Sequence, residues 1–224
     1  MTDPAPHAVS GVDAHAHVLR RDAPLAPERH SAPARDATID EYVALLDQHD
    51  ISHAVLTAPS FYGSDNTLLR QALARHPSRL RGSIIVAPDV DEETLAQCDR
   101  EGVVGIRFNW FRRDVLPDLT TPSYRSLLAK VRGLGWHVEL YLEGPKIAPL
   151  LPVLRGAGVK VVVDHFGSPD PARGIACAGF QQVLAGVRAG DTFVKLSAPY
   201  RLGGADPQAY VDALLAAGAH QLVW

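Results

Sequence analysis

The stretch VKVVVDHF, Val159 to Phe166, sets three consecutive valines before an aspartate and a histidine. Successive side chains of a strand point to opposite faces, so Val161, Val162 and Val163 would make both faces apolar. A strand buried on both faces belongs to a parallel sheet covered by helices. Working outward, seven more short runs read as strands. They are VDAHAHV (Val12 to Val18), SHAVLTA (Ser52 to Ala58), LRGSIIVA (Leu80 to Ala87), VVGIRFNW (Val103 to Trp110), WHVELYLE (Trp136 to Glu143), TFVKLSA (Thr192 to Ala198) and HQLVW (His220 to Trp224).

Helical spacing fills the gaps. In TIDEYVALLDQHD the apolar residues Ile39, Tyr42, Val43 and Leu46 recur at that spacing, with Thr38 placed to cap the N-terminus. Gly102, Gly135, Gly158, Gly190 and Gly218 each fall between a helix and the next strand, where a left-handed terminator is expected. This alternation predicts an α/β fold, a TIM (β/α)8 barrel, with an open doubly wound sheet as the alternative. No GxGxxG or GxxxxGK[ST] follows a strand, which removes the usual dinucleotide and P-loop readings. The stretch from Pro24 to Pro33 reads as an extended loop. A single domain over residues 1–224 is expected, truncated after strand eight, because no helix follows HQLVW. The chain is therefore expected to be a fragment of a longer protein.

Bulk properties narrow the function classes. With 224 residues and 46% hydrophobic content, the chain can bury one large core. A net charge of -3 and a pI near 6.3 provide no basic field for nucleic acid. The longest apolar runs fall short of the roughly 18 residues a membrane helix needs. MTDPAPHAVS has neither the cationic nor the apolar segment of a secretion signal. Cys98 and Cys177 are far apart and suit a reducing compartment. The expectation is a cytoplasmic protein that engages neither nucleic acid nor membrane; a homo-oligomer is left open.

In a barrel the active site forms at the C-terminal ends of the strands. The polar residues there are His15 and His17 on strand one, Ser60 after strand two, and Arg107, Asn109, Arg112 and Arg113 on or after strand four. Tyr141 and Glu143 end strand five, Asp164 and His165 end strand six, and Arg201 follows strand seven. His15, His17 and His165 are expected to form a three-imidazole set, suited to a divalent metal or to polarising a carbonyl directly. Asp13, on the same face as His15, is expected to orient the imidazoles. Arg107, Arg113 and Arg201 are planar cationic forks that suit carboxylates. The remaining histidines, His7, His30, His49, His53, His76, His137 and His220, read as surface or boundary residues.

With HxH on strand one, GIRFNWFRR on strand four and VVVDHFGSPD on strand six, the chain resembles the amidohydrolase superfamily. Within it, the likeness is to the branch of 2-pyrone-4,6-dicarboxylate lactonase and related sugar-lactone and muconolactone hydrolases. The resemblance implies a hydrolase acting on a small anionic lactone by water attack at the ring carbonyl. It places His15, His17 and His165 around that carbonyl, Arg107, Arg113 and Arg201 on substrate carboxylates, and Ser60 and Tyr141 in the substrate site. It implies either no metal or one zinc or manganese ion on the three histidines. VELYLE offers no lysine to bridge two metals, so a binuclear site is not expected. The dicarboxylate lactonase has an arginine three residues after its strand-six histidine, where this chain has Ser168. The superfamily's catalytic aspartate follows strand eight, so the 224-residue form is expected to be nearly inactive. Two other functions stay open: a metal-dependent decarboxylase of the same superfamily, and a catalytically dead barrel serving as a binding module.

Overall fold

The computed structural model describes residues 8–27, 29 and 31–224. His7 and His30, expected at the surface, lie outside the described residues. Eight strands take the same order in the sheet as in the chain, with helices between them, as in the (β/α)8 barrel class. The chain forms two compact units. One comprises residues up to Ala87 with Asp91–Val104; the other comprises Pro88–Val90 with Gly105–Trp224.

In the first unit, β1 (Val12–Ala16), β2 (His53–Thr57) and β3 (Leu80–Ile84) lie parallel, with Val12 opposite His53 and Ala54 opposite Leu80. The helices are α1 (Ile39–Gln48), α2 (Thr67–Arg75) and α3 (Glu92–Arg100). Thr38 caps α1 as the sequence predicts: its Oγ1 accepts from the Glu41 amide, and the Glu41 carboxylate accepts from the Thr38 amide. Such reciprocal capping satisfies two amides that the first turn leaves without helical partners. Gly82 lets α2 lie close on β3, since a Cβ there would stand 2.7 Å from a Leu69 methyl. β1 stops two residues short of the expected Val18, so His17 stands just past the strand.

The second unit holds most of β4 (Val103–Asn109), which enters it at Gly105. Then come β5 (His137–Tyr141), β6 (Lys160–Val163), β7 (Thr192–Lys195) and β8 (Leu222–Val223), each parallel to its neighbour. Val161 and Val163 are fully buried and Val162 is half-buried, as a strand with two covered faces requires. The helices are α4 (Pro122–Gly133), α5 (Gly144–Gly156), α6 (Ala178–Ala189) and α7 (Gln208–Gly218). α5 and α6 meet backbone to backbone: a Cβ on Gly179 would stand 1.7 Å from the Gly144 carbonyl oxygen. The Gly144 amide in turn donates to the Ser168 carbonyl at 2.7 Å, pinning the segment that follows β6. Gly102, Gly135, Gly158 and Gly190 adopt the expected positive φ, between 71° and 94°. Gly218 does not; its φ of 169° is extended, and it ends α7 without the left-handed turn.

Candidate active site

At the end of β1 in the first unit, the His15 and His17 rings meet edge to face, with centroids 5.0 Å apart. Alternate positions on a strand share a face, so this pairing follows from the HxH spacing. His17 Nδ1 lies 2.6 Å from the Thr57 carbonyl oxygen. A carbonyl can only accept, so Nδ1 carries the proton and Nε2 is the basic nitrogen of the neutral ring. Asp13 does something other than orient the rings. One of its oxygens accepts from the His15 amide at 2.9 Å and the other from the Tyr42 hydroxyl at 2.8 Å. Burial and the neighbouring Asp13 push the Tyr42 phenol well above its usual range, so it remains a donor. Asp13 therefore fixes the β1 backbone against α1. Ser60 opens a short 3-10 turn after β2 and is half-buried.

The interior of the second unit holds four charges. Arg107 of β4 contacts Glu139 of β5 at 2.8 Å and Asp164, just past β6, at 2.6 Å. Lys195 of β7 contacts the same two carboxylates at 2.9 and 3.1 Å. All four residues are buried, Glu139 completely. Two cations matched to two carboxylates make such burial tolerable. Burial works against the Arg107 charge, but Asp164 and Glu139 outweigh it and hold the guanidinium above its ordinary range. The expectation of Arg107 as an open fork for substrate thus meets an arginine whose charge is already matched twice inside the protein.

Beyond this network the strand ends are strained. His165, Phe166 and Ser168 after β6, Ala198 after β7 and Arg112 after β4 all have positive φ. Each such non-glycine residue costs on the order of 1–3 kcal/mol, and such residues cluster at functional sites. His165 Nδ1 lies 2.8 Å from the Ser197 hydroxyl, and its ring meets Tyr141 edge-on at 5.2 Å. Tyr141 is buried, and its hydroxyl has no hydrogen-bond partner among the described residues. Burial, partly offset by Arg201 and Arg107, pushes its pKa up to about 12, so it stays a neutral donor at physiological pH.

Arg201 borders a cavity. Its guanidinium carbon lies 5.0 Å from the Tyr141 ring centroid and 5.3 Å from those of Phe111 and Tyr200. Phe111 itself stacks on Tyr141 at 4.8 Å. The cavity, of about 470 Å³, is bordered by Phe111, Glu143, Ser168, Asp170 and Arg201, and by three prolines. Arg201 Nε and the Ser168 hydroxyl are buried and have no hydrogen-bond partner among the described residues. Arg113 instead is exposed on the loop after β4, where its carbonyl accepts from the Lys146 ammonium at 2.7 Å.

The sequence reading missed Glu139 and Lys195 as a pair, and Phe111 and Ser197 altogether. A glutamate inside VELYLE and a lysine inside TFVKLSA are charges in apolar strands, a signal of interior pairing. Nothing local marks Phe111 or Ser197. For a metal ion, the imidazoles offer suitable nitrogens, and His17 has the tautomer fixed by a carbonyl that metal-binding histidines use. The Asp164 carboxylate already carries two contacts, one oxygen to Arg107 and the other to Lys195.

A model of the amidohydrolase family matches residues 12–224. The chain belongs to this family. It is 32% identical over 202 residues to a 2-pyrone-4,6-dicarboxylate hydrolase of Comamonas testosteroni, a match covering 88% of this chain. The chain spans 65% of the length of that relative. It is 26% identical to a 4-sulfomuconolactone hydrolase of Hydrogenophaga intermedia, over 90% of this chain and 67% of the relative. Among solved structures, it is 40% identical to a putative 2-pyrone-4,6-dicarboxylic acid hydrolase from Pseudomonas putida. That match has a TM-score of 0.86 and covers 97% of this chain and 82% of the other. A probable hydrolase of the same name from Acinetobacter baumannii, with citric acid bound, matches at 32% identity and a TM-score of 0.86, over 96% of this chain and 82% of the other. Among the described residues of this family member, no helix is long and apolar enough to cross a membrane.

Proposed function

We propose that the protein hydrolyses a small carboxylate-bearing lactone of the 2-pyrone-4,6-dicarboxylate, muconolactone or sugar-lactone type, by water attack at the ring carbonyl. The observation that carries this reading is Arg201, a permanent cation held among three aromatic rings at the edge of a cavity, with Tyr141 linking it to His165. A flat ring with a carboxylate matches that surface: the rings offer stacking and the guanidinium a fork. The names of the relatives, and the citric acid bound to one of them, support the same chemistry.

In this reading His15 and His165 stabilise the oxyanion that develops at the carbonyl, the kind of preorganised help that contributes about 3–4 kcal/mol per donor. His17, whose Nδ1 proton goes to the Thr57 carbonyl, joins them through Nε2 once that nitrogen is protonated or holds a metal ion. Tyr141 donates its neutral hydroxyl to the substrate, and Ser60 adds a polar contact. Arg201 holds the carboxylate, and Arg113 draws it in from the exposed loop. Arg107 acts from behind, setting the position of Asp164 and so of His165. If the protein takes one divalent ion, the nitrogens of His15, His17 and His165 would hold it. Such an ion would supply Lewis-acid polarisation of the carbonyl. The two free, buried thiols suit a reducing cytoplasm.

The test is ring opening by the protein produced from its own gene, followed as acid release from a 2-pyrone carboxylate, a muconolactone and an aldonolactone, with and without chelator. Hydrolysis of at least one carboxylated lactone is expected, with simple esters untouched. Release of CO2 from a hydroxybenzoate with no lactone opened would instead make the protein a decarboxylase.

A further inference from the structure

The cavity beside Arg201 has a charge balance that bears on which lactone it takes. Its bordering side chains include one cation, Arg201, and two carboxylates, Glu143 and Asp170. Lys146 lies 3.3 Å from Glu143, and the Glu143 carboxylate also accepts from the Arg112 amide at 2.9 Å, so this acid is already committed to the wall. Asp170 accepts from the Ala172 amide at 3.0 Å and lies at the cavity edge, with no basic side chain paired to it among the described residues. One guanidinium therefore stands ready for one anionic group, and a second anion would meet Asp170 with no further cation among the described residues that border the cavity.

What the rest of the cavity offers is neutral. The Ser168 side chain is buried to 8% exposure, and its hydroxyl has no partner among the described residues. The backbone holds it there: φ is 39°, and the Ser168 carbonyl is tied to the Gly144 amide. An unpartnered buried hydroxyl is costly unless a ligand completes it. Pro169 and Pro171 beside it supply apolar surface.

We propose that this cavity selects a lactone with a single carboxylate and a neutral hydrogen-bonding group, and that Ser168 and Asp170 determine specificity by excluding a dicarboxylate. The inference rests on the lactone-hydrolase reading for its substrate but not for its test, which uses rings that cannot be hydrolysed. Calorimetric titration with benzoate and with isophthalate, one and two carboxylates on the same flat frame, separates the two cases. Benzoate is expected to bind at least about tenfold more tightly than isophthalate, a factor equivalent to about 1.4 kcal/mol. Arg201→Met should abolish benzoate binding. Asp170→Asn should narrow the gap between the two, and Ser168→Arg should reverse it. Should Ser168→Arg fail to fold, Asp170→Asn alone decides, since Asp170 is not fully buried. Equal or tighter binding of isophthalate by the native protein overturns the proposal, as does an unchanged ratio in Asp170→Asn or no binding of either acid. A native preference for benzoate with no lactone opened in the hydrolysis assay would leave the selectivity standing and remove the lactone reading.

Discussion

Arg107 lies within β4 and Arg201 in the 3-10 turn Pro199–Leu202 that follows β7, and the structure puts the two arginines in opposite circumstances. Arg107 is buried to 3% exposure between Glu139 and Asp164, with Lys195 completing a balanced set of four charges. Arg201 is half-buried among Tyr141, Phe111 and Tyr200, and its Nε has no hydrogen-bond partner among the described residues. A guanidinium matched by internal carboxylates gains little from a third, whereas one packed against rings keeps its donors for a ligand. The first arginine builds the interior; the second borders a cavity, which is why the proposed function gives it the substrate carboxylate.

The difference can be broken at either end. The largest effect is expected from Lys195→Met, which leaves Glu139 and Asp164 sharing one cation. Removing one partner of a buried network costs about 3–5 kcal/mol, so denaturant unfolding should show a loss of that order. A loss below about 1 kcal/mol would mean that the network is not needed for the fold. Arg201→Met should leave unfolding within about 1 kcal/mol of native, because it strands no buried carboxylate. It should weaken binding of the carboxylated substrate by about 10- to 100-fold, the 1.5–3 kcal/mol of a charged hydrogen bond. Tyr141→Phe sharpens the comparison. It deletes a hydroxyl with no hydrogen-bond partner among the described residues, so stability should hold or rise slightly while turnover falls about tenfold.

The smallest effect belongs to a surface pair. Arg70 holds the Glu101 carboxylate at 2.6 Å, and this hydrogen bond, helped by Gln97, lowers its pKa from 4.5 to about 2. A depressed carboxylate stabilises the fold above its unfolded pKa and loses that contribution as pH falls through its folded one. Glu101→Gln should therefore cost about 1 kcal/mol at neutral pH, after allowance for solvent screening of the exposed arginine. The deficit should vanish between about pH 4.5 and pH 2 in an acid-unfolding series.

Much of this was legible in the sequence for a physical reason. The triple valine of β6, the capped helix at Thr38 and the glycines that end helices are local signals, and their outcomes depend on local sterics. The HxH pair was legible because period two places two rings on one face. The parts of Asp13 and Arg107 were not, because a carboxylate or guanidinium takes whichever partner the fold brings, and Tyr42, Glu139 and Asp164 arrive from other elements. Phe111 escaped notice because a phenylalanine after a strand looks the same in sequence whether it packs in the core or walls a cavity. The early end of β1 reflects the weakness of boundary signals in short strands.

The most direct test of the account is the kinetics of lactone opening by the protein from its own gene, comparing native with Arg201→Met on a carboxylated 2-pyrone. The account predicts that KM rises at least about tenfold in Arg201→Met, and that the same pyrone without its carboxylate is a poor substrate for both forms. Equal KM values for native and variant, or equal use of the uncharged pyrone, would contradict it.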